Sequence, residues 1–191
     1  MAYFHNYLVE LQIGKDANLE KLFNLALRQV FSPQYLQKIE GEIKKRIKIK
    51  ETINKNTNIV AWVQGTTIYV NTPIFNQREY PAKIRYLLHE FMHVLNNSKS
   101  FLVQSKFKDI KDLSNKLWEV VKEHTKDPGK FLTGNTIDKK LLNNQEALSY
   151  LMNDKIQWGE ITPEGKKSFI EALEKSGVFN LEHEFWKKRL R

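Results

Sequence analysis

Residues 87 to 95 read LLHEFMHVL, and within them His89, Glu90 and His93 form the pattern His-Glu-x-x-His. Two imidazoles four residues apart stand one above the other on a helix, with stems about 5 to 6 Å apart, and can converge on one ion through bonds of about 2.0 to 2.1 Å. Zinc held in this way lowers the pKa of a bound water towards about 7, and a neighbouring carboxylate, here Glu90, can take the proton as that water attacks a carbonyl. In a chain with 5 histidines the pattern arises by chance roughly once in a hundred such sequences, so the spacing alone leaves a coordination site and a pair of ordinary surface histidines both open.

A catalytic zinc usually has three protein ligands and one open position. The chain has no cysteine, so every ligand must be His, Asp, Glu or water. Glu146, in NNQEALSYLMND, is the first candidate for the third ligand. At about 100° per residue it shares a helical stripe with Asn143, Tyr150 and Asn153, opposite Leu141, Leu148 and Met152, which suits a polar row facing a cleft. The alternative is a solvent-facing helix glutamate. Glu119, Glu123 and His124, on an intervening helix, are rival ligands. A second His-Glu-Phe, at His183, Glu184 and Phe185, has Lys187 where a second histidine would stand and reads as a surface helix face, with His183 a lesser candidate for a transition-state donor.

The elements that must position these residues follow from apolar spacing and caps. Tyr7 to Ile13 reads as a strand, and residues 18–30 read as an amphipathic helix. Ser32-Pro33 is a cap with a first-turn proline, opening a helix through Tyr35, Leu36, Ile39 and Ile43. Asn58 to Asn71 reads as a hairpin turning at Gln64-Gly65-Thr66. Pro81 starts the His-Glu-x-x-His helix, which runs to about Asn97; Ile84, Leu87, Leu88, Phe91, Met92 and Leu95 fill one arc, with the histidines on the opposite side. KDIKDLSNKLWEVVKEH is a further helix, ended by a turn at Asp127-Pro128-Gly129. After a Gly134-Asn135 loop comes a helix from about Asp138 to Asp154. Thr162-Pro163-Glu164 caps the next, and a last charged helix closes the chain near Arg191. The fold class is α+β, with more helix than strand.

A length of 191 residues, 41% hydrophobic and 12% aromatic, suits one domain spanning 1–191. The net charge of +9 could mark a nucleic-acid surface, but its dense run, KKRIKIK from Lys44 to Lys50, alternates as a solvated helix end or strand edge would. No aromatic-interleaved basic stripe is visible, so a nucleic-acid partner is not expected. The N-terminus lacks the features of a signal peptide, no apolar run approaches the 18 or so residues of a membrane span, and the absence of cysteine suits a reducing compartment. These features together give the expectation of a soluble, cytoplasmic protein without a membrane partner.

HEFMH followed by QEALSY resembles the gluzincin branch of the zincin metallopeptidases, including the thermolysin-like enzymes. The resemblance covers about Asn58 to Asp154. It implies a small mixed or antiparallel sheet with an active-site helix and additional helices at both ends, a catalytic core at 58–154 and a C-terminal helical segment at 155–191. His89, His93 and Glu146 would then ligate Zn2+, Glu90 would be the general base, and Thr66–Asn71 would be the edge strand that pairs with an extended peptide or protein substrate. Where the thermolysin-like pattern has an aspartate four residues after the glutamate, this chain has Tyr150, which could donate to the oxyanion or simply pack. The implied activity is zinc-dependent peptide-bond hydrolysis. Two alternatives accompany it: an intracellular regulatory zincin of the ImmA/IrrE type that cleaves a repressor-like protein, and a non-catalytic zincin-fold binding protein. Nothing in the sequence indicates an oligomeric state.

Overall fold

A computed structural model describes residues 19–56, 58–97, 107–134, 144–153 and 155–190, the side chains of 96, 97 and 144–146 excepted. The strand expected at Tyr7 to Ile13 lies outside these residues. The first element, α1 (Leu19–Val30), buries Leu22, Phe23, Ala26, Leu27 and Val30 along one side. Ser32 then caps α2 (Pro33–Arg46), its hydroxyl accepting from the Tyr35 N–H at 3.2 Å. This matches the expected cap, and proline's missing N–H costs nothing in the first turn.

The KKRIKIK run divides at Ile47. Its first part ends α2, and its second begins strand β1 (Lys48–Thr52). Strands β2 (Ala61–Gln64) and β3 (Thr67–Asn71) form the expected hairpin, turning through Gly65 at φ 62°, which suits glycine. The sheet order is β1-β3-β2, with β1 parallel and β2 antiparallel to β3. Thr66–Asn71 is therefore not an edge strand as expected: β1 occupies its free side, and among the described residues the edges are β1 and β2. To pass from β1 to β2 the chain must cross the end of β3, and Asn71 fastens that crossing. This fully buried side chain accepts from Asn54 N–H at 3.0 Å and donates to Asn54 O at 3.3 Å and Ile59 O at 2.8 Å.

A short helix, α3 (Thr72–Asn76), leads to α4 (Tyr80–Asn97), whose predicted arc from Ile84 to Leu95 is buried throughout. α4 lies against β2 and β3, against α1, and against two later helices, α5 (Lys108–His124) and α7 (Asn144–Leu151). Phe91 meets Phe23 and Phe31 edge-on, with centroids 5.2 and 5.9 Å away. Burial of each such side chain stabilises the fold by about 1.5–3 kcal/mol.

Asp127-Pro128-Gly129 is not a plain turn. Asp127 accepts from Lys130 N–H and so caps a further helix, α6 (Pro128–Thr133), which ends at Gly134 with φ 75°. The helix expected from about Asp138 is described only as α7; its expected start lies outside the described residues. Thr162 caps α8 (Pro163–Ser176) as expected. α8 approaches α5 so closely at Gly165 that an added Cβ would collide with the Cβ of His124. The closing helix shrinks to α9 (Glu184–Lys187), and its Phe185 and Trp186 are buried rather than on a surface face. Trp186 donates to Val30 O at 2.8 Å, and Ser32 N–H donates to Val178 O, so the C-terminal region closes over the α1–α2 elbow. The class is mixed α+β, and among the described residues no helix is long and apolar enough to cross a membrane.

Asn71→Ala strips the β1–β2 crossing of several buried hydrogen bonds. It is expected to lower stability by about 2–3 kcal/mol, measured by urea unfolding, whereas Asn54→Ala, which leaves its own backbone bonds to Asn71 intact, should cost well under half of that.

Candidate metal centre

His89 and His93 project from α4 towards α7 and are half-buried between the two helices. They lie off the main apolar arc, as the helical wheel requires, yet face another helix rather than solvent. Their Nε2 atoms stand 3.0 Å apart, and their rings meet edge-on at 4.6 Å. Two nitrogens bound at about 2.0–2.1 Å to one tetrahedral ion would be about 3.3–3.4 Å apart, so small rotations bring this pair to coordinating geometry.

The other side of His89 is also fixed. Its Nδ1 lies 2.8 Å from the carbonyl oxygen of Ser149, a pure acceptor, which places the proton on Nδ1 and leaves the lone pair on Nε2. The Asn153 carboxamide reaches the same Nδ1 at 2.9 Å and shares that N–H when its oxygen is turned inward. An imidazole whose outer N–H is held by a carbonyl is oriented as a metal ligand needs to be. Ser149 Oγ stands 3.5 Å from His93 Nδ1, the outer limit of a hydrogen bond.

Of the predicted polar stripe of α7, the two members whose side chains are described, Tyr150 and Asn153, meet His89. Asn153 bonds His89, and the Tyr150 ring meets the His89 ring at 5.6 Å. Glu146 belongs to α7 one turn before Tyr150, but its side chain lies outside the described residues, as does Asn143. Glu90, next to His89, is half-buried. The rival ligands are engaged elsewhere: Glu119 pairs with Lys122 at 2.8 Å, Glu123 lies 3.9 Å from His124, and His124 packs on Gly165 with its Nδ1 3.2 Å from Thr162 Oγ1. Among the described residues no group of three or more His, Cys, Asp or Glu side chains is arranged to hold a metal. His183 caps α9, accepting from Phe185 N–H through Nδ1 at 3.1 Å.

Ser149 was not a sequence candidate, because its chief contribution is a backbone carbonyl, which every residue has. The only available signal was its place on α7 between Glu146 and Asn153. No protein-family model, curated protein or solved structure matches the chain.

Burial, and then the neighbouring positive charge of a protonated His93, push His89 down to about 4, and burial lowers His93 too. Both are therefore neutral at pH 7, the form in which imidazole binds metals. In the metal-free protein the unfolded chain protonates His89 near its ordinary 6.5 and the folded chain only near 4. Stability is thus complete above pH 6.5 and falls towards pH 4, by about 3 kcal/mol from His89. Urea unfolding across this range, with chelator present, should show the slope, and His89→Asn should flatten it. Nitrogen NMR shifts at pH 7 should show the proton of His89 on Nδ1.

Proposed function

We propose that the chain is a zinc-dependent metallopeptidase with a zincin-like catalytic arrangement. His89 and His93 would be two ligands and Glu146 the third. The observation that carries this reading is the convergence of the two Nε2 atoms to 3.0 Å while Ser149 O holds the opposite nitrogen of His89. The contacts of Tyr150 and Asn153 with His89 add support, because Glu146 lies on the same stripe of α7 one turn earlier.

When bound, Zn2+ supplies a Lewis acid that acidifies water and polarises a substrate carbonyl. The chain supplies the proton transfers around it. Glu90, about 100° round α4 from His89, accepts a proton from the attacking water and passes it to the departing amine, so that one C–N bond is exchanged for one C–O bond. Tyr150 is assigned as a donor to the developing oxyanion, since it already stands against His89. Ser149 and Asn153 hold the His89 ring and leave Nε2 available.

A second reading rests on the same atoms. The Ser149 hydroxyl can donate to His93 Nδ1, His93 Nε2–H to His89 Nε2, and His89 Nδ1–H back to Ser149 O, making a closed cycle that joins α4 to α7 without an ion. In that case the histidines are a structural pair of a binding protein.

Elemental analysis separates the two. The peptidase reading expects about one zinc per chain, lost or much weakened in His93→Ala and Glu146→Ala. Glu90→Gln should keep the metal and lose hydrolysis of a peptide library by about 10²–10⁴-fold, and Tyr150→Phe should keep the metal with a smaller loss, about 10-fold or more. Wild-type protein that takes up no zinc even when supplied with it would assign the pair to the structural cycle.

A further inference from the structure

The strand register creates a second surface on the face of the sheet turned away from α4. Residues directly paired across strands share a face. Ile68 and Val70 point into the core, so Tyr69 and its partners Trp62 and Lys50 lie on the other face, in one row across all three strands. The adjacent row is Lys48, Thr67 and Gln64. Trp62 and Tyr69 stack with centroids 5.3 Å apart and planes within 12°. Lys48 and Lys50 are exposed, and among the described residues no carboxylate pairs with either. In sequence the lysines and the aromatic residues are separated by the β1–β2 connection; pairing through β3 brings them side by side, with strands about 4.8 Å apart.

We infer that this outer sheet face binds single-stranded nucleic acid, with Trp62 and Tyr69 stacking on bases and Lys48 and Lys50 neutralising the phosphates alongside. Charge complementarity supports this occupant, since the chain carries a net +9 and the two lysines of the face are exposed. Stacked rings select flat bases over other polyanions. Thr67 and Gln64 add hydrogen-bonding groups that tolerate any base. A duplex hides its base faces and cannot use such a platform. The surface is independent of the histidine pair, so it stands or falls separately from the peptidase reading.

The test is fluorescence anisotropy of labelled dT12 and U12 strands titrated with the full chain at several NaCl concentrations. Micromolar binding is expected at about 0.1 M salt, tighter than to a duplex of equal length. Trp62→Ala should weaken it about tenfold or more, while Trp62→Phe, which keeps a ring face, should retain most of it. The double variant Lys48→Gln/Lys50→Gln should reduce the slope of log K against log salt by about 1.4. Equal affinity for the duplex, or indifference to Trp62→Ala, would reduce the binding to bulk charge and overturn the proposal. So would absence of oligonucleotide binding together with lysine-dependent binding to phosphatidylserine vesicles, which would assign the face to a membrane surface. If Trp62→Ala does not fold, photo-crosslinking of iodouridine-substituted U12 to wild-type chain decides: adducts must map to Trp62 or Tyr69, and adducts mapping elsewhere refute the assignment.

Discussion

Enclosure of α4 is the constraint on which the rest of the molecule depends. The helix is packed by the sheet, α1, α5 and α7, and its two histidines stand half-buried against α7 with restricted access to water. A buried polar group without a partner costs about 1–3 kcal/mol, and two imidazoles on such a helix must therefore be satisfied within the protein or by an ion. The position of α7, with a carbonyl against one imidazole and a hydroxyl near the other, answers that requirement. The same requirement fixes the tautomer of His89, whose Nε2 lone pair then faces Nε2 of His93.

Helices with a strong apolar stripe and an explicit cap were readable from sequence. Ser32-Pro33 and Thr162-Pro163 begin helices as their side chains dictate, and the arc from Ile84 to Leu95 is core. The misreadings concern signals with two physical meanings. Asp-Pro-Gly serves a turn and a helix N-terminus equally well, because an aspartate oxygen accepting from a backbone N–H belongs to both, and here the helix forms. The Lys-Ile alternation, read as a helix end or a strand edge, is both in turn, but which strand β1 pairs with is a non-local matter that the alternation does not carry. That pairing also moves Thr66–Asn71 from the edge to the centre of the sheet.

The candidate site was readable as far as its side chains have distinctive chemistry. His89, Glu90 and His93 stand out in any pattern search, and the stripe bearing Tyr150 and Asn153 follows from helical geometry. What joins them is a main-chain oxygen of Ser149, which no sequence pattern distinguishes. The outer sheet face was opaque for a related reason. Lys50, Tyr69 and Trp62 become neighbours only through strand register, so a search along the chain for interleaved aromatic and basic residues passes over them.

The bond from the Trp186 indole to the carbonyl of Val30 spans 156 positions of sequence. A nascent chain emerging from the ribosome can form the local α1–α2 elbow early, but it cannot make this bond until the 156 positions up to Trp186 have been synthesised. Contacts of such long range slow folding, because loop closure must precede their reward. Until Phe179 and Trp186 have been made, one side of Phe31 and the carbonyl of Val30 therefore lack their native cover. Holding chaperones have a defined segment to protect in that interval, and a premature stop before Phe179 would leave that side of Phe31 without its cover for the lifetime of the fragment.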